Sequence, residues 1–557
     1  MGFWRRLGRA LRVPARWGAL VAGALPVLAF PGPNLEFLAW FALVPGLLLM
    51  RAAPGPREAA VRGWWFGAGF IMAAHYWLAP NIGPALLLVA VVMGVLWTGV
   101  GVSTWMLLRP PMTPGRSLAA LVVVPSYWLL VEWIRSWQAL GGPWALLGAS
   151  QWQHPAMLGL AAVGGVWLLS FAVVAANTGI VILAAAPRLP IRALGAAAVA
   201  IAIAAGPLAF ALTPPAAPVS FVTVALVQPG IEQHPSPLGT ASQRLSAGLR
   251  RHHPDLIVWG ESSIGYDLRF HQALLRRIEG LSAADGAQIL VDQDSHTPRG
   301  KSKVAVLTGP RGMVATYTKT RLVPFGEYIP FRQQLGWLTK ISKAAPSNMI
   351  PGDGARVMTA TLPGGHPLKL GVLICFEAAF PDMSRADTLH GAQLIVYQTS
   401  DSTFQDSWAP AQHASLAAVR AAETGRPVVQ AALTGVTAAF DPRGRELAWM
   451  GTARHGVTFV RLGLVPANHL TVFDHIGDTV PWAAIVICVV AALVALNHTH
   501  SPQRLVGIMV DGNRRPVSPV SISEAIGRDR VPGSPATGER GSDVSAGGPV
   551  HRIEEKP

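Results

Sequence analysis

Charge is scarce in this chain, and cysteine is scarcer. Charged residues make up 13% of its 557 positions and hydrophobic ones 51%, whereas a soluble globular protein carries roughly 25% charged residues. The shortage is local. Residues 17–214 hold very few charges, while 217–475 have the mixture of an ordinary soluble domain. A single water-soluble body is thereby excluded, and a polytopic membrane region followed by a globular domain is expected. Only Cys375 and Cys488 occur, which excludes a disulfide framework. Acidic residues are outnumbered 30 to 45 by Lys and Arg, for a net charge of +15. That excess is mostly Arg at the N-terminus and between apolar runs, with no basic stripe interleaved with aromatics in the globular part. No nucleic-acid partner is expected.

Long apolar runs are plentiful. Seven precede the globular part, at 17–31, 35–51, 61–79, 84–108, 117–134, 156–186 and 192–213, and an eighth follows at 480–497. Each approaches the ~20 residues that cross a hydrocarbon core. Arg5, Arg6, Arg9, Arg12 and Arg16 precede the first run. Arg51, Arg57 and Arg62 separate the second and third, Arg109 and Arg116 the fourth and fifth, and Arg188 and Arg192 the sixth and seventh. The alternate loops carry no Lys or Arg, except Arg135 after the fifth run. Cytoplasmic loops retain Lys and Arg, so the alternation puts the N-terminus in the cytoplasm. The sixth run must then be one tilted helix. Seven crossings leave the globular domain outside, and the eighth returns the C-terminus. The expected divisions are a basic N-terminus at 1–16, seven transmembrane helices at 17–214, a globular domain at 215–479, an eighth helix at 480–497 and a disordered tail at 498–557.

The globular part alternates strand-like and helical stretches. Strands are expected at 220–228, 255–262, 287–293, 303–309, 368–377, 392–400, 427–432 and 435–441. Helical stretches include HQALLRRIEGLSA and AQHASLAAVRAAETG, and GPRGMV and DPRGRE read as hairpin turns. Apolar strands alternating with helices predict a layered α/β domain.

Three polar residues end or follow apolar strands. Glu261 closes LIVWGES, Cys375 closes LGVLICFE, and Lys319 follows a hairpin in ATYTKTRLVPFGEYIP. Functional groups gather at the carboxyl ends of strands in open α/β sheets, so Glu261 and Cys375 converge if their strands share a sheet. A thiol becomes a nucleophile when a base or cation favours the thiolate. A carboxylate serves as that base, and an ammonium stabilises the oxyanion. The three together suit acyl transfer through a thioester. Singly, each has a plainer reading: an inert buried thiol, a capping carboxylate and a solvated loop lysine.

The blocks W-G-E-S (259–262), Y-x-K-x-x-L-V-P-F-G-E-Y-I-P (317–330) and I-C-F-E (374–377) resemble the three signature blocks of the carbon–nitrogen hydrolase (nitrilase) superfamily. Seven runs before this domain and one after, Phe30-Pro31, E-W-I-R (132–135), G-G-P-W (141–144) and the stretch 413–438 resemble the apolipoprotein N-acyltransferase family. The resemblance implies an αββα nitrilase-like layered domain in a bacterial plasma (inner) membrane protein. It also implies that Glu261 is the general base, Lys319 the oxyanion-stabilising cation and Cys375 the nucleophile. Phe376, Glu377 and Glu327 match supporting positions. The two acids either orient Lys319 or form structural salt bridges. Trp144 matches a substrate-facing aromatic, and interfacial anchoring is its other reading.

Two departures from the family pattern bear on substrate contacts. Ser400-Asp401-Ser402-Thr403-Phe404 replaces an N-D-x-W-F-like run, and Pro235 and Pro237 lie where a Trp is often found. The implied reaction moves an acyl chain from a phospholipid, through a Cys375 thioester, to the α-amino group of a diacylglyceryl-cysteine on an apolipoprotein. No metal or cofactor is expected, and the protein is expected to be a monomer. A membrane-anchored nitrilase or amidase is the alternative, although eight spans exceed what anchoring requires. A transporter or lipid-binding protein with an inactive domain is the second. Transporters place ionisable groups mid-span, and here only Glu132, near a helix end, approaches that.

Overall fold

The computed structural model describes residues 14–230, 240–298, 300–340 and 345–500. The Arg-rich segment before residue 14, the Pro235 and Pro237 departure and the tail after residue 500 lie outside the described residues.

The apolar runs fold into helices α1 (Pro14–Ala24), α2 (Val44–Arg51), α3 (Pro56–Ala74), α4 (Ala85–Leu108), α5 (Pro114–Arg135), α6 (Pro155–Ala185) and α7 (Leu189–Leu212). A final helix, Thr479–His500, ends the described chain. Among the described residues, five helices are long and apolar enough to cross a membrane: α4 to α7 and Thr479–Asn497. The first apolar run is a shorter helix, Pro14–Ala29.

Two expected spans differ from continuous helices, each for a local reason. The stretch 35–51 is a 3-10 turn (Glu36–Trp40) followed by α2, whose 8 residues rise only ~12 Å. Pro45 starts α2, where its missing N–H costs nothing. At the break, the buried Asn177 amide accepts the Leu43 N–H at 3.0 Å and donates to Ala39 O at 2.8 Å. An apolar setting demands such partners for freed backbone groups. The stretch 156–186, read as one tilted helix, is instead two segments joined at Gly164 (φ −135°) and Gly165 (φ +68°). A Cβ on Gly165 would lie 2.6 Å from the Phe473 ring. Only glycine fits both that conformation and that contact.

The globular part contains two facing six-stranded sheets. The first is ordered β12-β1-β2-β3-β4-β5 and the second β11-β10-β9-β8-β7-β6. In the first sheet, β1 (Ser220–Gln228), β2 (Leu256–Trp259) and β3 (Gln288–Thr297) run parallel. Antiparallel β4 (Gly300–Gly309), β5 (Gly312–Thr318) and β12 (Gly456–Leu464) complete it. In the second, β7 (Pro367–Ile374), β8 (Leu394–Thr399) and β9 (Val428–Ala432) are parallel. Antiparallel β6 (Val357–Thr361), β10 (Thr437–Phe440) and β11 (Glu446–Met450) flank them. β5, β6, β11 and β12 are additional to the strands expected from the sequence. The two hairpin turns fall where expected, between β4 and β5 and between β10 and β11.

Alternation of side chains builds the layers. Val222, Val224 and Leu226 of β1 join the core shared with the second sheet, while Ala225 and Val227 face the opposite way. There they meet Leu274, Leu275 and Ile278 of α8 (Gln272–Asp285). α9 (Pro381–Leu389) and α10 (Ala409–Thr424) cover the second sheet. The result is an αββα domain, and α10 packs in turn against α6.

Candidate active site

Glu261 and Cys375 meet across the two sheets, not along one. Glu261 follows β2 in the first sheet and Cys375 follows β7 in the second. Facing sheets thus supply the convergence that a shared sheet would have allowed. Each strand carries its polar residue to its carboxyl end, and face-to-face packing brings those ends together. The approach is close. Glu261 N–H donates to Thr399 O at 3.1 Å, and the Gln398 amide donates to Trp259 O at 2.8 Å. A Cβ on Gly260 would come within 2.0 Å of Leu433 N, so glycine is needed just before Glu261.

Cys375 has φ +52°, a left-handed conformation that costs a non-glycine residue ~1–2 kcal/mol. The turn is held by Glu377, which is fully buried. One carboxylate oxygen accepts from Thr320 N–H (2.6 Å), Arg321 N–H (2.9 Å) and Tyr317 OH (2.9 Å), and the other from Ile374 N–H (2.8 Å). Glu377 therefore ties the Cys375 turn to the loop beginning at Lys319. Phe376 packs edge-on to Phe380 at 4.9 Å and lies under Gly142.

Lys319 is completely enclosed. Its ammonium lies 2.7 Å from Glu327 Oε1 and 3.2 Å from Glu261 Oε1. Glu327 is held by the Val323 N–H, 2.8 Å from its other oxygen. Burial disfavours the lysine's charge, but Glu261 and Glu327 hold its pKa well above the usual value. Burial also opposes ionisation of Glu261. Lys319, Lys303 and a hydrogen bond from Cys375 outweigh it, and Glu261 sits below its ordinary 4.5. Burial and the Glu261 charge push the Cys375 thiol well above its usual value. The resting arrangement is thus a protonated thiol near an ionised carboxylate that is paired with a buried ammonium. Such a set supports general-base attack by sulfur with a cation waiting for the oxyanion.

Other residues complete the surroundings. Asp401, in the run that departs from the family pattern, accepts from His413 Nδ1 at 3.0 Å, and His413 Nε2 lies 3.1 Å from Cys375 O. Trp144 packs against His413 (5.4 Å) and Trp77 (5.5 Å), and Phe404 packs on Trp77 (4.8 Å). Aromatic rings from the segments that follow α3 and α5 therefore approach the Cys375 turn. The sequence reading passed over His413, Asp401 and Lys303 as site residues. His413 and Asp401 stood inside quoted stretches, but Lys303 offered no local signal. Among the described residues, no group of His, Cys, Asp and Glu could hold a metal ion.

Known proteins share both halves of this architecture. Residues 22–179 match the family model described as apolipoprotein N-acyltransferase N-terminal domain, and residues 223–465 match carbon-nitrogen hydrolase. An apolipoprotein N-acyltransferase of Allorhizobium ampelinum is 31% identical over 479 residues, covering 79% of this chain and 86% of its own. Another, of Geobacter metallireducens, is 30% identical over 514 residues, covering 86% and 94%. A solved amidase from Nesterenkonia sp. AN1 aligns at 21% identity with 43% of this chain and 92% of its own, with a TM-score of 0.32.

Proposed function

This chain belongs to the apolipoprotein N-acyltransferase family, and from that premise we propose that Cys375 carries an acyl group from a phospholipid to a lipoprotein amine. The observation that carries the reading is the Lys319 ammonium shared between Glu261 and Glu327, where the ends of β2 and β7 bring Glu261 and Cys375 together. In the first half-reaction, Cys375 Sγ attacks the ester carbonyl of the phospholipid as Glu261 takes the thiol proton. Lys319 stabilises the oxyanion. Collapse breaks the ester C–O bond, Glu261 returns the proton to the departing oxygen, and a lysophospholipid leaves an acyl thioester. In the second half-reaction, the α-amino group of the diacylglyceryl-cysteine attacks the thioester. Glu261 takes a proton from that nitrogen and passes it to the departing Cys375 sulfur, which regenerates the thiol. Glu327 and Glu377 act as positioning groups for Lys319 and for the turn of Cys375.

The protein is a multi-pass protein of the bacterial inner membrane. We assign the catalytic domain (215–479) to the outer face and both termini to the cytoplasm, on the Arg alternation across 17–214 and the last span at 480–497. The assignment counts α3 (Pro56–Ala74) as a crossing, and it is the same whether the two short runs before it both cross or neither does. At that face both lipid-anchored substrates reach Cys375 without drawing acyl chains into water, which would cost ~0.8 kcal/mol per CH₂. Trp77, Trp144 and Phe404 wall the approach from the bilayer. The enzyme works as a monomer. Hydrolysis of small amides by the same residues is not favoured, because the matched relatives are acyltransferases over nearly their whole length.

The test is to incubate the purified enzyme with a phospholipid bearing a labelled acyl chain. A hydroxylamine-labile label on the unaltered protein, absent from Cys375→Ser and discharged by a diacylglyceryl peptide, is the expected result. Absence of any acyl-enzyme, or turnover of small amides without lipid, overturns the reading.

A further inference from the structure

A second lysine reaches the same oxygen of Glu261. Antiparallel pairing of β3 with β4 sets Asp294 opposite Lys303, and the Lys319 N–H donates to Lys303 O at 2.9 Å. The two lysines are therefore backbone neighbours, and both ammonium groups converge on Glu261 Oε1, at 3.2 Å from Lys319 and 3.7 Å from Lys303. Lys303 is held there by Asp294 Oδ1 at 2.9 Å and by a short hydrogen bond to Ser262 Oγ. Ser262 is itself fixed. It adopts φ +54°, and its N–H donates to Asp292 Oδ1 at 2.7 Å. Only 13% of the Lys303 side chain is exposed, far less than a lysine that merely solubilises a strand.

One ammonium would not suffice for Glu261. Lys319 is closer to Glu327 than to Glu261, and it is the cation that must turn to the substrate oxyanion. At that moment Glu261 needs another positive neighbour. The charged and titratable groups around it are Lys319 and Glu327 from the loop after β5, Lys303 from β4, Asp292 and Asp294 from β3, Cys375 from its turn, and Asp401 with His413 beyond. Lys303 is the cation among them that the mechanism leaves otherwise unused.

We propose that Lys303 is a positioning residue for acyl transfer, keeping Glu261 ionised as proton acceptor and sharpening it as donor to the departing oxygen. The proposal rests on Glu261 being the general base. A cation beside a carboxylate favours its charged form, so the proton taken from sulfur is held less tightly and passed on more readily.

The test measures acyl-enzyme formation against pH in full-length, detergent-solubilised enzyme, with a phospholipid bearing a fluorescent acyl chain. The acid limb of the unaltered enzyme should lie below the usual carboxylate value. Lys303→Gln should move it up by about 1 pH unit, while Lys303→Arg leaves it in place. An unmoved limb in a Lys303→Gln protein that unfolds at the wild-type temperature overturns the proposal. If Lys303→Gln does not fold, Lys303→Met decides: an upward shift of the limb supports the role and an unmoved limb defeats it. Glu261→Gln separates the two claims. Normal acylation in that variant overturns the base assignment and this proposal together, whereas abolished acylation with an unmoved limb in Lys303→Gln removes only the role of Lys303.

Discussion

Glu423 of α10 accepts the Val166 N–H at 2.7 Å, so a carboxylate from the catalytic layer caps the second half of the broken helix α6. The same carboxylate pairs with Arg420 at 2.8 Å, both side chains fully buried. Arg420 in turn donates to Ala379 O at 3.1 Å, in the turn Cys375–Ala379. A continuous line of polar contacts thus runs from α6 to the Cys375 turn. It follows that Glu423→Ala should destabilise the protein by about 3–5 kcal/mol, because it strands a buried guanidinium. Glu423→Gln, which retains an acceptor for Val166, should lose less. Thermal unfolding in detergent measures both, and equal losses would show that the cap contributes nothing beyond the ion pair.

Lys319 has no room and no substitute. Lys319→Met should lower acyl-enzyme formation by at least ~10²–10³-fold, the scale of losing one oxyanion donor. Lys319→Arg should not restore it, since the ammonium is enclosed at 0% exposure between two carboxylates. Single-turnover labelling reads the rate, and near-normal labelling in Lys319→Met would remove the residue from the mechanism.

The thiol titrates late. With burial and Glu261 both raising its pKa, Cys375 is neutral well past the ordinary thiol value of 9.0. Alkylation by iodoacetamide in a Cys488→Ser background should therefore develop only above that value. Glu261→Gln removes the largest of the charges that raise it, so its profile should move to lower pH. Complete alkylation of the unaltered site at neutral pH would contradict the neutral resting thiol.

The His413–Asp401 pair links stability to pH. Burial lowers the His413 pKa, but Asp401 and the Cys375 carbonyl outweigh it, so the folded value lies above 6.5. A raised histidine stabilises fully below its unfolded value and loses that contribution as pH rises through its folded value. Asp401→Asn should thus lower the unfolding temperature most below pH 6.5, with the deficit narrowing on the alkaline side. A deficit that is constant with pH would mean the pair is not charged.

Glu377→Gln should cripple acylation with modest change in unfolding temperature. Its oxygens accept four donors. An amide NH₂ in place of one oxygen would face an N–H, leaving buried donors unpaired at about 1–3 kcal/mol. Acyl-enzyme formation at the wild-type rate would dissociate Glu377 from the geometry of the Cys375 turn.

Much of the site was legible because its residues punctuate apolar strands. Glu261, Lys319 and Cys375 each interrupt or follow a run whose burial the composition already demanded. β11 was harder to see, since its first two residues are exposed and its alternation is weak. The break in α6 was hidden by uniformly apolar sequence, although Gly164-Gly165 marked its place. Lys303 was invisible. A lysine in a strand ordinarily reads as solvated, and only the register with Asp294 turns it toward Glu261.

The chain's own sequence was enough to establish the apolar runs and the layered α/β domain, and to single out the residues proposed to carry acyl transfer, because hydropathy period and residue chemistry are local properties. Which residues meet was decided by tertiary packing. Two sheets facing one another bring Glu261 to Cys375, and the antiparallel β3–β4–β5 register brings two lysines to one carboxylate. Local sequence cannot specify such pairings, since they depend on the separation of strands far apart in the chain and on the burial that makes their charges count.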